Sequence, residues 1–176
     1  MTSSPGSLFV CIADQVVVFK VAGRASFTIS ADFKRVVHEM LQRGYRKFLL
    51  DLSECLIMDS TFLGVLAGAG SKLSGRSEPA NGGTIELLCA NARIADLLEN
   101  LGVASLFKFI SLKEARPQIT AALQLIPIQA TREETSRTCL EAHLTLMNVN
   151  PANVPRFKDV TKFIAEDLEK IKNQQS

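Results

Sequence analysis

The apolar positions of this chain switch between two rhythms. Leu8-Phe9-Val10-Cys11-Ile12 and Val16-Val17-Val18-Phe19-Lys20-Val21 are runs of β-branched, aromatic and aliphatic residues on either side of Asp14-Gln15, and they predict a β-hairpin. After Gly23 the period lengthens. Phe33, Val36, Val37, Met40 and Leu41 recur at helical spacing and predict a helix from about Ser30 to Arg43, with Ser30 as its N-cap and Gly44 as its stop. Lys47 to Leu52 is apolar on both faces, as a strand inside a parallel sheet is. Phe62, Leu63, Val65, Leu66, Ala69 and Leu73 then predict a helix, Ser74 to Gly83 a loop, and Thr84 to Cys89 a strand. Asn91 caps a helix containing Ile94, Leu97, Leu98 and Leu101, which Gly102 ends. Leu106 to Ile110 reads as a strand. Ser111 reads as the start of a helix carrying Ala115, Ile119, Ala122 and Leu123, with Pro117 near enough to its start to be tolerated.

This β-β-α-β-α-β-α-β-α order predicts an α/β domain over residues 1–126, with a mixed, mainly parallel sheet and right-handed crossovers. Ile126-Pro127-Ile128-Gln129 reads as a joint, and beyond it the strand rhythm does not return. Thr135 to Met147 reads as a helix with Cys139, Leu140, His143, Leu144 and Met147 on one side. Asn148 to Pro155 is a turn-rich connection. Phe157, Val160, Phe163, Ile164, Leu168 and Ile171 form an amphipathic stripe on a second helix at about 155–172. Residues 127–176 are therefore an α-helical extension. Its two stripes need cover from the core, from a second copy of the chain in a homodimer, or from another protein.

Composition narrows the function classes. The 176 residues are 47% hydrophobic and 22% charged, an ordinary globular balance, and the net charge of +2 makes no electrostatic case for nucleic acid or an anionic membrane surface. No apolar run approaches the ~20 residues that span a bilayer. Met1-Thr2-Ser3-Ser4-Pro5-Gly6 lacks the layout of a signal peptide, so a cytoplasmic protein is expected. Cys11, Cys55, Cys89 and Cys139 lack metal-ligand spacing and read as reduced thiols; no metal or cofactor site is nominated.

Two catalytic readings fail on pattern. Gly64 to Lys72 has the glycines of a phosphate loop, but Gly70-Ser71-Lys72 reverses the required order and follows an apolar helical stretch rather than preceding one. Ser60 lacks the Gly-x-Ser-x-Gly elbow, and the two histidines, His38 and His143, read as surface or packing residues. No catalytic residue is assigned and a non-enzymatic protein is expected. What stands out is Asp59-Ser60-Thr61, an acid and two hydroxyls where a buried strand gives way to a helix. Asp59 or Ser60 is either an N-cap and nothing more, or Ser60 is a modification site, where a phosphoryl group would add charge at a helix start that tolerates it.

Met58-Asp59-Ser60-Thr61-Phe62-Leu63-Gly64-Val65-Leu66, preceded by Phe48-Leu49-Leu50-Asp51-Leu52-Ser53 and set in this element order, resembles the signature of the STAS domain of anti-sigma factor antagonists over roughly residues 7–125. The resemblance implies a bacterial protein with a STAS-like sheet and a signalling role without catalysis. It implies phosphorylation of Ser60, with Thr61 as the alternative, by a serine kinase that is also the anti-sigma factor. The implied partner surface comprises Arg24, Ser26 and Phe27 within the Gly23–Thr28 loop, with Asp59, Thr61 and Phe62. Two positions depart from the family's usual residues: Phe62 where glycine is frequent, and Ser26 where aspartate is.

Overall fold

The computed structural model describes residues 5–74, 82–114 and 122–174. Strands β1 (Ser7–Ala13) and β2 (Val16–Ala25) form an antiparallel hairpin. Asp14 and Gln15 both have positive φ at its turn, as a two-residue connection that preserves strand twist requires. Helix α1 (Phe27–Gln42), strand β3 (Lys47–Met58), helix α2 (Ser60–Leu73), strand β4 (Thr84–Leu88), helix α3 (Ala92–Asn100) and strand β5 (Lys108–Ile110) follow. The six-stranded sheet has the order β5-β4-β3-β2-β1-β6, where β6 is Gln124–Leu125. The β2–β3, β3–β4 and β4–β5 pairs are parallel, and β1 is antiparallel to both of its neighbours. The expected mixed, mainly parallel sheet is what the chain forms.

Strand alternation sends Val17, Phe19, Phe48, Leu50, Leu52 and Leu87 into the main core with α1, α2 and α3. Val18, Leu49, Leu88 and Ile110 form a smaller cluster on the other face, where the Glu86–Lys108 ion pair lies on neighbouring strands. Phe19, Phe33 and Phe62 anchor the main core, with ring centroids 5.0 Å apart for Phe19–Phe33 and 4.7 Å for Phe33–Phe62. The β2–β3 register shifts twice near the end of β2, beside Gly23, whose φ of 80° suits glycine. This bend carries the end of β2 alongside the end of β3.

Several boundaries differ from the sequence expectation. Helix α1 begins one turn early, with Ser26 at the N-cap; Ser30 is buried inside the helix and its hydroxyl donates to the Ser26 carbonyl. Strand β3 runs on to Met58. Within it the buried Asp51 carboxylate accepts from the Ser53 amide. Residues Ala104–Leu106 turn as a 3₁₀ helix, leaving only Lys108–Ile110 as strand. The helix expected from Ser111, with Ala115 and Ile119, falls largely outside the described residues, as does most of the Ser74–Gly83 loop. Within them Ser111 to Glu114 form a turn, and Gln124–Leu125 pair with β1 as an edge strand too short to show a rhythm.

The extension folds as α4 (Arg132–Val149), a 3₁₀ turn (Pro151–Asn153) and α5 (Val154–Gln174). Thr131 and Glu134 form a reciprocal capping box at the start of α4. Helix α4 lies against α2 and α1, and α5 against α4. Asn153, 1% exposed, donates from one side-chain amide to the carbonyls of Leu101 and Leu146, so the α4–α5 turn is bonded to the end of α3. The expected stripes are only partly covered. On α4 the buried residues are Thr138, Ala142, His143 and Leu146, while Leu144 is exposed; on α5 Leu168 and Ile171 are buried, but Val160 and Phe163 face outward. Among the described residues, no helix is long and apolar enough to cross a membrane.

Candidate functional site

The site forms where β2 and β3 end side by side. Ala25 pairs with Met58, and the Asp59 amide donates to the Ala25 carbonyl at 2.9 Å. Two helices therefore start next to each other, each with first-turn N–H groups that lack partners within the helix. The Asp59 carboxylate serves both. Oδ1 accepts from the Phe62 amide at 2.9 Å as the N-cap of α2, and Oδ2 accepts from the Phe27 amide at 2.8 Å at the start of α1. Ser26, the N-cap residue of α1, makes no side-chain cap; its hydroxyl pairs instead with that of Thr28 at 2.8 Å. An acid is suited to this place because it meets the positive ends of two helix dipoles.

Ser60 is the first residue of α2, and its hydroxyl lies 2.9 Å from Nε2 of His143 on α4. Nδ1 of the same ring lies 2.7 Å from the Cys139 carbonyl, which can only accept. Nδ1 therefore carries the proton in the neutral ring, Nε2 has a free lone pair, and the Ser60 hydroxyl donates to it. The rings of His143 and Phe157 on α5 pack edge to face with centroids 5.0 Å apart. The Thr61 hydroxyl points at the Cys139 sulfur, 3.7 Å away. Burial pushes the Cys139 thiol above its usual pKa; the Thr61 hydrogen bond acts in the opposite direction, and the nearby Asp59 charge reinforces the rise. One turn further along α2, a Cβ on Gly64 would fall 2.4 Å from the Ala142 carbonyl oxygen, so α4 approaches α2 backbone to backbone there.

Ser60 with His143 is a hydroxyl beside a base, the opening half of a nucleophilic pair. The other half is built differently: a backbone carbonyl, not a carboxylate, orients the ring, and the Phe62 amide at the helix start is already bonded to Asp59. The arrangement holds the serine hydroxyl against α4.

Of the residues nominated from the sequence, Ser26, Phe27, Asp59, Ser60 and Thr61 meet at the adjoining starts of α1 and α2, with Arg24 close by on the last turn-free residues of β2. Arg24 and Phe27 are exposed; Asp59 and Ser60 are half-buried. Phe62 is different. It is fully buried, stacked on Phe33, and offers no surface to a partner, because the third position of α2 faces the sheet along with Leu63 and Leu66. Thr61 is also covered, 5% exposed beneath α4. His143 is the residue sequence reasoning missed. It read as a packing residue on the α4 stripe, and its contact lies 83 positions away, beyond any local pattern.

A sequence model of the STAS domain matches residues 10–116. The comparison with curated proteins gives no match. Among solved structures, a candidate anti-sigma factor antagonist from Thermotoga maritima is 25% identical, with a TM-score of 0.50, covering 60% of this chain and 87% of that one. An anti-sigma factor antagonist from Mycobacterium paratuberculosis is 17% identical over 62% of this chain and 87% of that one, with a TM-score of 0.50. The anti-sigma factor antagonist SpoIIAA in its unphosphorylated form is 13% identical, covering 66% of this chain and 99% of that one, with a TM-score of 0.52. Helices α4 and α5 follow the matched residues. With 107 consecutive residues matched by the family model and the sheet order and helix starts described above, the chain belongs to the STAS domain family.

Proposed function

We propose that this chain is a non-enzymatic bacterial signalling switch of the cytoplasm, which binds a serine kinase acting as an anti-sigma factor and is controlled by phosphorylation at Ser60. One observation carries the reading: Ser60 occupies the first position of α2, immediately after the Asp59 cap, within the STAS match. A phosphoryl group there sits at a helix start, whose dipole favours negative charge, so the domain keeps its fold while the surface gains negative charge. Thr61 is the poorer acceptor, being buried against Cys139. The accessible partner surface consists of the exposed Arg24 and Phe27 with the half-buried Ser26 and Asp59. In this reading residues 1–126 are the STAS domain and 127–176 a helical extension attached to it.

The test is coexpression with the serine kinase encoded nearest to its gene, followed by intact-mass measurement and kinase binding. The expected result is a mass gain of one phosphoryl group that Ser60→Ala abolishes, with kinase binding weakened at least about tenfold by Ser60→Asp through charge repulsion and desolvation. Absence of the mass gain, together with binding indifferent to Ser60→Asp, would sink the reading in favour of a STAS scaffold.

A further inference from the structure

Helix α4 covers the hydroxyl on which the proposed switch depends. His143, 6% exposed, holds the Ser60 hydroxyl; Cys139 meets Thr61; the Ala142 backbone lies on Gly64. Residues 139, 142, 143 and 146 share one face of α4, so a single helical face covers α2 from Ser60 to Gly64. Lys34 with Glu141 pins the middle of α4 to α1, and the buried Asp32 accepts from the amides of Gln129 and Ala130 just ahead of α4.

This cover is part apolar and part polar. Ala142 and Leu146 of α4 join the main core, while Thr138 and His143 on the same helix are buried polar residues beside them. Polar contacts of this kind are typical of interfaces that open without unfolding what lies beneath.

A phosphoryl group in the direction the Ser60 hydroxyl now takes runs into α4. The group would replace the hydroxyl proton, on the line now leading to Nε2 of His143. The ring cannot turn aside without leaving the Cys139 carbonyl and the Phe157 ring, and α4 cannot sink or slide past Gly64. The Asp59 carboxylate, bonded to two amides beside Ser60, adds like-charge repulsion.

We propose that α4 is an internal competitor for the Ser60 face, so that α4 docking and Ser60 phosphorylation exclude each other and His143 is the latch. The proposal rests on the phosphorylation reading above. In the transfer, the γ-phosphorus of ATP bonds to Ser60 Oγ as its bond to the bridging oxygen of ADP breaks, and the hydroxyl proton passes to a base on the kinase. With α4 docked, the attacking oxygen is engaged with His143, and α4 occupies the side toward which the hydroxyl points. Once α4 has lifted, the phosphoryl group keeps it from returning. The kinase and α4 thus compete for one surface, and the extension sets how readily the switch is thrown.

Hydrogen–deuterium exchange of the full chain, followed peptide by peptide without any kinase, tests this. In Ser60→Glu, peptides from 132–149 should exchange at least about tenfold faster than in the unsubstituted chain, while peptides of β2 and β3 keep their protection and report an intact core. Ser60→Ala should move α4 less than Ser60→Glu. Unchanged α4 exchange in Ser60→Glu overturns the proposal. So does slower exchange, which would mean an acid at residue 60 pairs with His143 and tightens α4. Should Ser60→Glu loosen the core itself, His143→Leu removes the latch without touching α2; α4 must then exchange faster, and retained protection overturns the proposal. A chain that no kinase modifies but whose α4 is released in Ser60→Glu loses the phosphorylation reading alone; one that is phosphorylated with α4 still protected loses the competitor alone.

Discussion

Asp59 shows what one side chain does at the meeting of two helix starts. A single carboxylate accepts from Phe62 on α2 and from Phe27 on α1, while Ser26 caps nothing. Replacing an N-cap acid with alanine costs about 1 kcal/mol, and losing a second bond to a charged acceptor adds to it, so Asp59→Ala is expected to lower stability by about 2 kcal/mol, read as a fall in the urea midpoint at unchanged slope. Asp59→Asn should recover roughly half of this, since its one oxygen can cap α2 but its amide cannot accept from Phe27. The capping role of Asp59 was legible from its place before an apolar helical run. Its second role was not, because Phe27 lies 32 positions away and is joined to it only when β2 and β3 pair. Phe62 illustrates the opposite failure. The family resemblance put it on the partner surface, while its place in the apolar stripe of α2 put it in the core; the direction in which α2 leaves β3 turns it onto Phe33.

At the level of elements, legibility followed the strength of the rhythm. The hairpin and the amphipathic α3 appeared where their patterns put them, and β3 began where its pattern does but ran on past Leu52 to Met58, since each pattern is the burial pattern itself. An element defined by pairing alone did not: β6 is two residues held by β1; the strand expected over Leu106–Ile110 is present but shortened to Lys108–Ile110 beside β4. The glycines of α2 carried a different message from the phosphate loop they superficially resemble. Gly64 is where α4 touches α2, and a side chain there runs into the Ala142 carbonyl. Gly64→Val therefore should dislodge α4 while leaving the sheet paired. Valine also removes a helical glycine, which by propensity alone favours α2, so a loss of stability reports the clash rather than the helix. The expected readout is limited proteolysis: cleavage within residues 127–154 at protease levels that leave the unsubstituted chain whole, with the fragment covering β1 to β4 surviving. Equal resistance of both chains would mean that α4 can shift to accept the valine.

Across the whole molecule the extension is neither a free arm nor a simple continuation of the core. Its entry is held by Asp32, its α4–α5 turn by Asn153, and its far end by Leu168 and Ile171, which are 6% exposed each. Between these points α5 leaves Val160 and Phe163 outside, although the sequence stripe joined all of them on one side. The helical period identified the stripe correctly. How much of it is covered depends on the width of α4 beneath it, and no periodicity contains that. The difference is measurable in paired variants of the full chain. Leu168→Ala removes a covered side chain and leaves a cavity, which should cost about 2–3 kcal/mol, whereas Phe163→Ser removes a ring that is 67% exposed and should change stability by no more than about 0.5 kcal/mol. If Phe163→Ser proves as costly as Leu168→Ala, and the cost grows with protein concentration, then α5 is covered by a second copy in solution and the outward half of the stripe is its contact.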